Sequence, residues 1–278
     1  GRMIVRRWMF LCGVSFVLLG ALPTSVPAQQ VPRGAVDIAP HRAVYVLSLG
    51  RSRQGANVSA ARGALVMEWA KSCEGWTVKQ RLQLDLTNNE GSTVSSDSNF
   101  SSFESLDGLR YRFTSRDTRG GRVVEDLQGK ARLDGRGDKG TADFTQPEGR
   151  RFDLPKGTVF PTAHIVELIT AARRGERIVY RTMFDGATLD GPLAVNAVIG
   201  RVSAKARGSH AREPLTNRPS WRVRLAFFPL SVSKASPDYE LGLTLFDNGV
   251  ADSYEIDYGS FSVNARLERI EALERPRC

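Results

Sequence analysis

Chemistry-bearing residues are sparse in this 278-residue sequence: it has three cysteines and three histidines. Cys12, Cys73 and Cys278 show no Cys-x-x-Cys spacing, and His41, His164 and His210 are equally scattered. Metal sites need such ligands at short, regular spacing, so no metal or other cofactor is expected. A Gly-x-Ser-x-Gly nucleophile elbow and a Walker phosphate loop are also missing, which removes the usual grounds for an esterase or a nucleotide hydrolase. No apolar run reaches the roughly 20 residues of a spanning helix, so the chain is read as not membrane-spanning. No Ser/Pro/Gly-rich linker divides the chain, which argues for one domain. The net charge of +9 is arginine-led but dispersed along alternating segments. Without a basic helix, an aromatic platform or a Lys/Arg cluster, nucleic acid is not an expected partner, and the charge reads as a solvated basic surface.

The sequence does carry a start that reads as a secretory signal over residues 1–28. Arg6 and Arg7 form its basic end, Trp8 to Leu22 its apolar run, and Val26-Pro27-Ala28 a small-residue cleavage site near Ala28. The expectation is a single exported domain, 29–278, in the periplasm. Removal of Cys12 with the signal leaves Cys73 and Cys278. In an oxidising compartment two remaining thiols most simply pair, the alternative being two unrelated free thiols.

Most of the chain alternates apolar and polar residues with period two, the pattern of half-buried β-strands. His41 to Leu49 places Ala43, Tyr45, Leu47 and Leu49 on one side. Trp76 to Leu86 marks a buried face interrupted by Gln80, and Ser92 to Glu104 is polar and serine-rich. Asp107-Gly108, Gly120-Gly121, Asp185-Gly186 and Asp247-Asn248-Gly249 separate alternating runs and read as turns, not as paired catalytic acids. One stretch differs: Ile165, Leu168, Ile169 and Ala172 recur at i, i+3, i+4 and i+7, predicting an amphipathic helix that starts at Pro161 and stops at Gly175. The first half offers six to seven strands and the whole chain twelve or more antiparallel strands. Accumulated twist keeps so large a sheet from staying flat. The predicted fold is all-β: a large antiparallel sheet curled into a β-spiral or half-open barrel around one short central helix. An outer-membrane barrel is the rival, but sustained aromatic girdles are missing.

Several segments together resemble the EipB-like family of periplasmic envelope-integrity proteins. They are Ala39-Pro-His-Arg-Ala-Val-Tyr45, Cys73-Glu-Gly-Trp76 with Gln80-Arg81, Phe103-Glu-Ser-Leu-Asp-Gly108, Leu154-Pro-Lys-Gly-Thr-Val-Phe-Pro-Thr-Ala-His164, Asn248-Gly-Val250 and Asp257-Tyr-Gly-Ser-Phe261. The resemblance implies a periplasmic β-spiral, with Cys73 and Cys278 matching the family's disulfide, and a role in keeping the envelope intact against detergents and wall-directed antibiotics. It implies no enzyme chemistry.

A non-enzymatic envelope-integrity role is therefore expected, through an envelope lipid or lipopeptide held in the concave face, or through a periplasmic protein partner. Tyr111, Phe113, Trp221 and Phe227, with Phe160, His164, Ile165, Leu168 and Ile169 at the helix, are the candidate groove or helix contacts. Aromatics at strand spacing are more often the material of an ordinary core. The alternatives are a hydrolase acting on an envelope polymer, with His164 meeting a strand carboxylate, and a purely structural scaffold.

Overall fold

The computed structural model describes residues 34–203, 213–233 and 236–278. The signal segment with Cys12, and His210, lie outside the described residues. The elements in chain order are β1 (His41–Ser52), β2 (Ala60–Lys71), β3 (Gly75–Thr87), β4 (Thr93–Ser105), β5 (Arg110–Arg119), β6 (Arg122–Leu133), β7 (Gly140–Gln146), β8 (Arg151–Leu154) and β9 (Thr158–Val159). They continue with α1 (Pro161–Arg173), β10 (Ile178–Met183), β11 (Leu193–Ser203), β12 (Ser220–Pro229), β13 (Tyr239–Phe246), β14 (Ala251–Asp257) and β15 (Phe261–Ala272).

Alternation produces the strands as read. On β1, Ala43, Tyr45 and Leu47 are buried while Arg42 and Val46 face out. The polar segment before Asp107 is also a full strand, β4, paired along its length with β3. Nine strands precede the helix, more than the six to seven expected, because β8 and β9 are only four and two residues long and too short to show a period.

Among the described residues the fifteen strands form one sheet. Its order runs from β8 back to β1, crosses to β15, and continues down to β9. The first and last long strands pair antiparallel, Leu47 opposite Ala265. The two edges, β8 and β9, are consecutive in the chain and joined by Pro155, Lys156 and Gly157. A chain of that length reaches about 14 Å at most, so the sheet must curl until its edges nearly meet. The expected large antiparallel sheet is present, and within it one pair, β9 and β10, runs parallel. Parallel neighbours require a crossover, and α1 supplies it.

Helix α1 begins where Pro161 takes the first helical position. It ends in a Schellman arrangement: Glu176 N–H donates to Ala171 O at 3.0 Å and Gly175 N–H to Ala172 O at 3.0 Å. Gly175 holds φ at +78°, which favours glycine. Leu168, Ile169, Ala171 and Ala172 join a core with the inward faces of β10 to β13, including Val195, Trp221, Phe227 and Leu245. Ile165 and Val166 lean on Trp69, Trp76 and Val78 at the β2–β3 hairpin. At the helix C-terminus Arg173 donates to Gly34 O and Asp247 O, the latter in the β13–β14 turn. The β2–β3 hairpin and the β13–β14 turn lie at one end of the curled sheet, so α1 plugs that end.

Candidate functional site

Phe160 precedes α1 and has no side chain able to cap it. A carboxylate from β4 does this instead. Glu104 Oε2 accepts the Thr162 N–H at 2.7 Å and Oε1 the Ala163 N–H at 2.8 Å. Pro161 has no N–H, and His164 N–H donates to Phe160 O, so the first-turn donors are satisfied. Glu104 is 2% exposed. Burial pushes its carboxyl up to about 7, against the two amide hydrogen bonds that favour the ionised form. The favourable end of the helix dipole lies on the same group.

His164 sits one residue further along α1, also 2% exposed. Burial, helped by the Arg181 charge, brings its imidazole down to about 4, so it is neutral at ordinary pH. Its Nε2 is buried without a hydrogen-bond partner. The two groups thus do not form the acid–base pair that hydrolysis would need: Glu104 is committed to backbone amides. Among the described residues no group of three or more His, Cys, Asp or Glu is placed to hold a metal. Gly135, Gly137 and Gly140 do stand at a Gly-x-Gly-x-x-Gly spacing, but they turn β6 into β7 and no helix follows, so the phosphate-binding context is missing.

The aromatic candidates separate into two clusters. Tyr111, Phe113 and Phe160 pack with Phe144, Phe184 and Leu154. Tyr111 stacks on Phe160 at 4.9 Å between ring centroids, and its hydroxyl donates to Asp185 O at 2.9 Å. Trp221 and Phe227 belong to the core shared with Leu168 and Ile169. All of these are buried, and only Ile165 among the candidates is half-buried. Cys73 and Cys278 are bonded, with Cα atoms 5.6 Å apart, tying the β2–β3 turn to the last residue.

The apolar surface that stays partly open lies at the other end of the curled sheet. Leu49, Leu82, Leu86 and Leu241 are half-buried. Each is paired with or packed on a buried inward residue: Leu49 opposite Val263, Leu82 opposite Leu65, Leu86 opposite Ala61 and Leu241 opposite Leu225. Phe261, half-buried, packs on the same cluster as Val263 and Leu47. Helix α1 covers the inner face at its own end and leaves this rim unsealed. No sequence signal distinguishes the rim from the core, because both share the same alternation.

Residues 32–274 match the family described as EipB-like. A similar curated protein is the cell envelope integrity protein EipB of Brucella abortus (strain 2308), 30% identical over 247 residues, covering 85% of each chain. A similar solved structure is the crystal structure of a beta-barrel-like protein of a domain of unknown function from Brucella abortus. Its TM-score is 0.78 at 29% identity, covering 86% of this chain and all of that one.

Proposed function

The chain belongs to the EipB-like family, and from that premise we propose that it is a non-enzymatic periplasmic protein that supports cell-envelope integrity by holding the apolar part of an envelope lipid or lipopeptide. The envelope role follows from the similar curated protein. One observation carries the ligand reading: the inward-facing rim of Leu49, Leu82, Leu86, Leu241 and Phe261 is half-buried, although the residues it packs on or pairs with, Leu47, Leu65, Leu225 and Val263, are buried. Concave, mostly apolar surfaces at the mouths of curled sheets suit amphiphiles. The buried aromatics and α1 form the closed floor beneath.

The test is native mass spectrometry of delipidated protein titrated with lysophosphatidylglycerol and with a palmitoylated tripeptide. One saturable adduct is expected with wild type, and its loss with Leu82→Arg or Leu241→Arg, each of which puts a charge on the rim. Absence of saturable uptake of both probes overturns the ligand reading.

A protein partner is favoured by a separate observation. β10 is covered on its outer edge only at Thr182 and Met183, by β9, leaving Ile178 to Arg181 open. Beside that edge Ile178, Tyr180 and Val198 are 74%, 55% and 57% exposed. An uncovered edge with apolar side chains is suited to adding a strand from another envelope protein. Crosslinking from position 180 would capture such a partner, and Ile178→Lys would abolish the capture.

A further inference from the structure

The arginines that look dispersed in the sequence are gathered by strand register. On the outer face of the sheet Arg110 lies directly across from Arg132, and Arg112 across from Lys130. These four cations line a pocket of about 940 Å³ beside Cys73. Like charges facing each other across strands are destabilising. None of the four is joined to a carboxylate in an ion pair of 4 Å or less among the described residues. Two of the acids nearby have other hydrogen-bond partners. Asp143, across from Lys130, is bonded to Arg151 at 3.0 Å. Asp107 accepts the Ser105 hydroxyl at 2.5 Å and the Leu109 N–H at 3.0 Å, and it feels the Arg110 charge without closing an ion pair of 4 Å. Glu74 is the third acid of the lining. Arg112 lies over the Phe103 ring, 4.7 Å from its centroid, a cation–π contact that helps hold its guanidinium in place.

The neighbouring pocket on the same face is different. There Arg81 is paired with Asp97, Arg116 with Asp126, and Glu68 with Arg42. The outer face therefore pairs both arginines in one pocket, with Lys79 outside those pairs, and leaves all three arginines of the next without an ion pair among the described residues. We infer that the Arg110, Arg112, Lys130 and Arg132 pocket is a binding site for an anionic saccharide carrying two phosphate or carboxylate groups. Each cross-strand cation pair takes one anionic group. Side chains two residues apart on one strand are separated by about 7 Å, and this sets the spacing of the two groups. Guanidinium forks match oxyanions in bidentate fashion. Thr141 in the lining offers a hydroxyl that can bond a sugar hydroxyl. The site is on the opposite face of the sheet from the lumen rim, so it stands or falls independently of the ligand reading above.

The experiment is calorimetric titration of the full chain with glucose 1,6-bisphosphate, with glucose as the neutral control and with phosphatidylglycerol vesicles in a parallel arm. Wild type is expected to bind the bisphosphate at one site, to weaken with added salt, and to ignore glucose. Arg110→Gln and Arg132→Gln should each weaken binding about tenfold or more. Both should melt at or above the wild-type temperature, because each removes a like-charge contact. Arg116→Gln, in the paired pocket, should bind as wild type does. Three results overturn the inference: no saturable bisphosphate binding, an equal loss in Arg116→Gln, or binding to the vesicles alone.

Discussion

Glu104 and His164 are two buried ionisable groups at one helix end whose proton affinities move in opposite directions, and their pH effects should nearly cancel. Glu104 titrates near 7 in the folded chain, above the carboxylate range of an unfolded one. Between the two values the native state holds a proton that the unfolded state has lost, so stability falls as pH rises from about 4.5 to 7. His164 titrates near 4 when folded, below its unfolded value. Over that window the unfolded state holds the extra proton, so stability rises with pH from about 4 to 6.5. Each effect is on the order of 3 kcal/mol. Single variants should separate them. Stability of His164→Leu should fall between pH 4.5 and 7, that of Glu104→Gln should rise, and wild type should lie between them. Urea unfolding midpoints at four pH values decide it, and two variants with the wild-type profile would refute the assignment. Of this pair only His164 was legible in the sequence. Glu104 stands in a serine-rich segment and meets α1 58 residues later, a distance no local pattern spans.

At the scale of elements, α1 tests whether burial or capping holds the plug in place. Leu168 is fully buried, so Leu168→Ala should cost about 2–5 kcal/mol through lost contacts and a residual cavity. Gly175→Ala forces a side chain onto a φ of +78° and should cost about 1 kcal/mol. Chemical denaturation followed by tryptophan fluorescence would rank them, and a larger loss for Gly175→Ala would show that the cap dominates. The helix was readable because its period of 3.6, its Pro161 start and its Gly175 stop agree with one another. β4 was harder to read as a strand. Its inward positions include Ser96, Ser98 and Ser102, opposite Leu84, Leu82 and Val78, so the apolar half of the alternation is missing. Small residues there leave room for the aromatic cluster. The same economy appears at Gly129, directly across from Phe113, where an added Cβ would lie 2.5 Å from the Phe113 ring.

For the whole molecule, alternation shows which way a side chain faces but not which strand lies beside it. The pairing of β1 with β15, the meeting of β8 and β9, and the gathering of Arg110, Arg112, Lys130 and Arg132 therefore required the register. The Cys73–Cys278 bond is the one long-range link that the residue count had already suggested. It closes a loop with a sequence separation of 205, encompassing α1 and thirteen of the fifteen strands, all but β1 and β2. β15 is held on both sides, by β1 and β14, so breaking the bond should release the tail after Ala272 without unravelling the sheet. The stabilisation then resides in the unfolded chain, whose freedom the cross-link restricts by at most about 5 kcal/mol. For a chain of this size that corresponds to a fall in melting temperature of about 10 °C. Cys73→Ser and Cys278→Ser should each show this fall in non-reducing buffer. The double variant should fall no further, because the two sulfurs act as one link, and reduced wild type should melt with the variants. Equal melting temperatures for oxidised wild type and both single variants would mean that the bond adds nothing to the stability of a sheet already held by its own strand pairs.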